Sequence, residues 1–137
     1  MATQAKIRVL IVDDNPLFLQ TMRSLLEPYP DVEVIGEAND GSEAVERVAE
    51  LQPAVVLMDV HLRKTMDGIA ATRMIKARCP NVVILGLSWD TRDYVVSAMR
   101  QAGAMEVLTK DQGAANEVYG AIRRTVALNR RSDEAQA

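Results

Sequence analysis

Apolar and polar positions fall into blocks along this chain, and four apolar blocks end abruptly on a polar residue. Arg8-Val-Leu-Ile-Val12 runs into Asp13-Asp14, and Val55-Val-Leu-Met58 into Asp59. Val82-Val-Ile-Leu-Gly-Leu87 runs into Ser88, and Val107-Leu-Thr109 into Lys110. Short apolar runs set between amphipathic stretches predict strands buried on both faces, as in a parallel sheet. The alternation repeats five times, which predicts βαβ units and an α/β fold.

The stretches between the strands carry helix signals. After a strand over Ile7–Val12, Asn15-Pro16 predicts an N-cap followed by proline at the first helical position. Phe18, Met22, Leu25 and Leu26 give that helix one apolar face, and Pro28 and Pro30 stop it. A second strand spans Val32–Ala38. Asp40-Gly-Ser-Glu43 then has capping-box spacing ahead of the stripe Ala44, Val45, Val48 and Leu51. The third strand, Ala54–Met58, is followed by a loop over Val60–Asp67 and a helix from Gly68 to Arg78. The fourth strand covers Val82–Leu87. Asp90 or Thr91 is the expected cap of the next helix, with Tyr94, Val95, Ala98, Met99 and Ala102 as its face and Gly103 at its end. A fifth strand over Met105–Thr109 precedes a helix striped by Val118, Ile122 and Val126. One domain over residues 1–128 is expected, with Asn129–Ala137 as a frayed polar tail or linker stub.

Composition narrows the function classes. A length of 137 residues suits one core. A net charge of −3 argues against direct nucleic-acid binding. Cys79 is the single cysteine, so no internal disulfide forms, and a reducing cytoplasm is the expected setting. No apolar run approaches the roughly 20 residues of a membrane helix, and Met1–Lys6 has no apolar core of a secretion signal. No membrane partner is expected.

In an open parallel sheet, ligands bind at the carboxyl ends of the strands. Asp13, Asp14, Asp59, Ser88 and Lys110 all fall there. Each alone reads as turn chemistry or a solvated charge. Together they form a crevice in which three carboxylates repel one another unless a cation or protons intervene. An oxygen donor set of this kind suits Mg²⁺. Asp59 is then either a simple ligand or a nucleophile that accepts a phosphoryl group. Lys110 and Ser88 would meet the charge on the transferred group.

The segments Val9-Leu-Ile-Val-Asp-Asp-Asn-Pro16, Gly36-Glu-Ala-Asn-Asp-Gly41, Val56-Leu-Met-Asp59, Met66-Asp-Gly68, Leu87-Ser88 and Leu108-Thr-Lys-Asp111 resemble a bacterial response-regulator receiver domain. The Lys110-Asp111 pair and the Gly-Glu-Ala stretch are most similar to the branch with helix-turn-helix output domains. The resemblance implies a flavodoxin-like, doubly wound, five-stranded parallel sheet in the order 2-1-3-4-5, with helices on both faces. It implies a module of a two-component phosphorelay, not a turnover enzyme. Asp59 would be phosphorylated by a histidine kinase or phosphotransfer protein. Asp14 would bind Mg²⁺ directly, Asp13 largely through water, and Asp59 with the backbone carbonyl of His61 would complete the protein ligands. Ser88 would swing towards the phosphoryl group and Lys110 would pair with it. The change would remodel the surface of the fourth and fifth helices for an output domain, a protein partner or a second copy of the chain.

Three departures from the family pattern stand out. Val107 occupies the usual aromatic switch position. The loop Asp59-Val-His-Leu-Arg-Lys-Thr-Met-Asp-Gly68 lacks the usual proline and has one extra residue, so it is expected to be mobile or reshaped. Trp89 follows the switch serine, either packed on its loop or partly covering the site. His61 and Asp90 stand where the family tunes dephosphorylation, and they are expected to pair across the site mouth. The competing readings are a degenerate receiver acting only as an interaction module, an aspartyl-phosphate hydrolase and a flavodoxin-like cofactor binder. The hydrolase would need a second Asp two residues after Asp59, where His61 stands. The cofactor binder would need glycine, not acid, in the loop Asp13–Pro16.

Overall fold

The structure is a computed structural model that describes residues 5–111 and 114–136. Its elements are β1 (Ile7–Val12), α1 (Pro16–Leu26), β2 (Val32–Ala38), α2 (Gly41–Leu51), β3 (Val55–Asp59), α3 (Gly68–Arg78), β4 (Val83–Ser88), α4 (Asp93–Ala102), β5 (Glu106–Thr109) and α5 (Ala114–Gln136). All strand pairs are parallel, in the order β2-β1-β3-β4-β5. The expected doubly wound α/β architecture is therefore the observed one.

Period-two alternation along the strands sorts side chains into two cores. Leu10, Val12, Val56, Met58 and Ile84 pack with Ala44, Val48, Ile75 and Met99 of α2, α3 and α4. Val9, Ile11, Leu57, Leu85 and Leu87 pack with Leu19, Met22, Ile122 and Val126 of α1 and α5. Helices thus cover both faces, which is why β1, β3 and β4 read as continuous apolar runs. At roughly 1.5–3 kcal/mol per large buried side chain, these two layers dominate the stability of the domain.

The predicted caps of α1 and α2 hold. Asn15 accepts from the backbone N–H groups of Leu17 and Phe18, with Pro16 at the first helical position. Asp40 accepts from the Glu43 N–H. Three details of α1 and α4 differ from expectation. On α1 the buried set is Leu19, Met22 and Leu26, with Phe18 left half-buried at the boundary. Neither Asp90 nor Thr91 caps α4. The helix starts at Asp93 with Arg92 in the cap position and no side-chain cap bond. The reason is that the Asp90 carboxylate is engaged by Arg92, through its backbone N–H at 3.1 Å and Nε at 2.9 Å. Tyr94 is 63% exposed instead of buried, with the Arg92 guanidinium 4.8 Å from its ring centroid.

β3, β4 and β5 each begin one residue later than the pattern predicts. α5 continues to Gln136, where the polar pattern predicts a frayed tail from Asn129. No glycine or proline interrupts Asn129–Gln136, and Asn129 Nδ2 donates to the Asn81 carbonyl at 2.8 Å, so the helix has no stop signal there. Near its start, α5 is held by stacking of Tyr119 on Tyr29 with centroids 3.7 Å apart. The Tyr119 hydroxyl reinforces this by donating to the Asp31 carboxylate.

The loop between β3 and α3 is anchored at both ends and, between them, by Leu62, which is buried in the core. The Thr65 hydroxyl accepts from the Ser42 N–H at 3.0 Å and donates to Asp40 Oδ1 at 3.1 Å, tying the loop to the start of α2. Gly41 lies so close to Met66 that a β-carbon there would fall on the Met66 backbone carbonyl. At the other end, a β-carbon on Gly68 would fall on the carbonyl of Asp59. These contacts give the long loop a defined shape.

Candidate functional site

Asp13 directly follows β1, Asp59 ends β3, Ser88 ends β4 and Lys110 directly follows β5. The strand order places β1, β3, β4 and β5 side by side, so their carboxyl ends share one edge. Asp13, Asp14 and Asp59 each offer a carboxylate oxygen within 4.8 Å of the others. They line a cavity of about 140 Å³ with Asn15, His61, Arg63, Trp89 and Lys110.

Within the cavity wall the charges are tightly organised. Lys110 Nζ donates to Asp13 Oδ2 at 2.6 Å and lies 3.1 Å from Asp59 Oδ1. Asp13 Oδ1 also accepts from the Asn15 N–H at 2.9 Å, and Asp59 Oδ1 from the His61 N–H at 3.1 Å. Asp13, Asp59 and Lys110 are all buried, whereas Asp14 is partly open. Burial pushes the Asp13 carboxyl above its ordinary value, and the nearby Asp59 charge adds to this. The bonds from Lys110 and Asn15 pull it down without overcoming the desolvation. One ammonium thus compensates two buried carboxylates with a third beside them. That arrangement favours a cation with oxygen ligands.

Ser88 is fully buried, but its hydroxyl is used locally. It donates to the Asp90 carbonyl at 2.8 Å and accepts from the Asp90 N–H at 2.9 Å. It is not part of the cavity wall. The expected pairing of His61 with Asp90 is reduced to a weak electrostatic one, since the Asp90 carboxylate is held by Arg92 and no hydrogen bond joins it to His61 among the described residues. Those bonds hold Asp90 down at about 2, with the His61 charge a minor contributor. His61 lines this cavity and also, with Asp90 and Arg92, a neighbouring one of about 480 Å³. Trp89 also lines it yet is 70% exposed, so the indole stands on the rim and is not packed down on its loop. Val107 lies half-buried beside Gly86, which is also overlain by Met99.

Phe18 was not a candidate from the motifs, but its ring centroid lies 4.4 Å from Lys110 Nζ. The signal for it is positional. Leu19 takes the core position on α1, which leaves Phe18 one step around the helix, towards the carboxyl edge of the sheet. Arg63 is a second cavity residue without a motif behind it. The extra residue of its loop is the only hint the chain offers.

Residues 9–123 match the family described as "Response regulator receiver domain". The chain is 43% identical over 117 residues to the transcriptional regulatory protein LiaR of Bacillus subtilis, an alignment covering 85% of this chain and 54% of LiaR. It is 36% identical over 127 residues to a protein-glutamate methylesterase/protein-glutamine glutaminase of Methanospirillum hungatei, covering 36% of that protein. The chain therefore spans about half the length of the first relative and about a third of the second. Among solved structures, the signal receiver domain of the response regulator NarL from Mycobacterium tuberculosis superposes with a TM-score of 0.85 at 29% identity. That superposition covers 90% of this chain and 98% of the NarL domain.

Proposed function

Because this chain belongs to the family of response-regulator receiver domains of two-component signalling, we propose that Asp59 is its phosphoacceptor. The observation that carries this reading is the cluster itself. The Asp59 carboxylate, backed by Lys110 and flanked by Asp13 and Asp14, lies in a solvent-open cavity. A carboxylate oxygen of Asp59 attacks the phosphorus of a phosphohistidine on a histidine kinase or phosphotransfer protein. The P–N bond breaks, its electron pair stays on the imidazole, and the ring leaves neutral, keeping the proton already on its other nitrogen. The charge is then shared among Lys110 and Ser88, the latter after its hydroxyl leaves the Asp90 carbonyl.

The donor set fits a hard divalent cation, being all carboxylate with one ammonium already in place. Asp13, Asp14, Asp59 and the backbone carbonyl of His61 would hold Mg²⁺. Bound there, it would neutralise negative charge on the transferred phosphoryl oxygens. The domain acts as a switch for an output domain, a protein partner or a second copy, and not as a turnover enzyme, in a cytoplasmic setting. No helix among the described residues is long and apolar enough to cross a membrane.

The test is incubation with Mg²⁺ and a small phosphodonor. A gain of one phosphate in intact mass, lost in Asp59→Ala, is the expected result. No gain in the wild type would leave the phosphorylation-independent interaction module as the better reading.

A further inference from the structure

We propose that Phe18 is a positioning residue for phosphoryl transfer, its ring face forming the third wall that aims the Lys110 ammonium at Asp59. The inference rests on the roles given to Asp59 and Lys110 above. An ammonium presents three donors. Two sides of this one meet Asp13 at 2.6 Å and Asp59 at 3.1 Å. A further side meets the Phe18 ring, 4.4 Å from its centroid. The Lys110 side chain is only 5% exposed, so water competes little and the attraction to the ring is near its strongest.

A ring suits this place better than another oxygen would. A third carboxylate would bind the ammonium more tightly and repel an incoming phosphoryl group. A carbonyl would claim one N–H and have to release it. The ring face attracts the whole cation without taking a particular N–H. The ammonium can therefore exchange its carboxylate bonds for phosphoryl oxygens while staying against the ring.

The neighbouring chain fixes both partners. The Phe18 N–H donates to Asn15 Oδ1 at 3.4 Å, and the Asn15 N–H donates to Asp13 Oδ1 at 2.9 Å. One turn of chain thus sets Asp13 and Phe18 together. From the opposite side, the Lys110 N–H is bonded to the Ser88 carbonyl at 3.0 Å.

The decisive experiment changes the ring's charge distribution at nearly constant shape. Pentafluorophenylalanine is placed at position 18 and the rate of Asp59 phosphorylation by phosphoramidate with Mg²⁺ is measured. Loss of the ring attraction predicts a fall of about three- to tenfold. Phe18→Tyr keeps the wild-type rate, and Phe18→Leu falls with the fluorinated protein. A second measurement uses the protein without metal or phosphodonor. The ε-methylene protons of Lys110 are shifted upfield by the ring in the wild type and return downfield in Phe18→Leu. Equal rates across all four proteins, or unshifted Lys110 protons in the wild type, overturn the proposal. A wild type that takes no phosphate overturns the phosphoacceptor reading and the positioning role with it. The proton shifts then separately decide whether the ring holds the ammonium.

Discussion

Lys110 Nζ reaches Asp13 Oδ2 at 2.6 Å, although the two residues follow strands separated by two others in the sheet. The bond closes the carboxyl edge with a buried charge pair. Buried pairs add little over an apolar alternative, but removing one partner strands the other. Lys110→Met therefore destabilises the metal-free protein by about 3 kcal/mol, near the lower end for such a loss because Asp13 can take up a proton. Urea unfolding without divalent ions measures this, and adding Mg²⁺ restores part of it.

Asp13→Asn acts in the opposite direction. The folded-state pKa of Asp13 lies above the unfolded value of 3.8, mainly through burial. The folded protein thus holds that proton more tightly. Its stabilising contribution is complete below the unfolded value and is lost as pH rises through the folded one. At neutral pH the ionised carboxylate is a liability, and neutralising it does not strand Lys110, which keeps Asp59 at 3.1 Å, so the metal-free Asn variant unfolds at higher urea than the wild type. Mg²⁺ at ten times its dissociation constant adds about 1.4 kcal/mol to the wild type and much less to the variant. Equal Mg²⁺ stabilisation of both proteins would remove Asp13 from the ion site.

Asp90 titrates in the other sense. Its folded pKa of about 2 comes first from the Arg92 side-chain bond and then from the Arg92 N–H. The associated stability is present above the ordinary carboxylate value and is lost as pH falls through about 2. In Arg92→Ala the Asp90 midpoint, followed by carboxyl-carbon NMR, rises towards that ordinary value. The freed carboxylate would then be available to His61, and a pH-dependent dephosphorylation rate would appear in the variant only.

Much of this was legible from the chain because strands buried on both faces have no polar positions to blur their ends. Val12-Asp13, Met58-Asp59 and Thr109-Lys110 mark those ends sharply, and the shared edge follows from parallel order. What the pattern missed depends on side-chain competition. Asp90 resembles a cap, but Arg92, two residues on, takes its carboxylate first. Tyr94 sits at an apolar spacing on α4, yet its ring lies beneath the Arg92 guanidinium at the surface. Phe18 and Leu19 are both apolar, and only the angular setting of α1 on the sheet decides which enters the core. The helical course beyond Asn129 lacks an apolar stripe because little covers it, so periodicity has nothing to report there.

The clasp of Thr65 on α2 and the seat of Gly68 on the Asp59 carbonyl act as two rivets on one strap. Leu62, between Asp59 and Thr65, is buried in the core, so whatever slack the additional residue brings falls on its exposed neighbours His61, Arg63 and Lys64, the first two of which line the cavity. Substitutions in that short bight can reshape the mouth seen by an incoming donor while the acidic floor beneath stays in register.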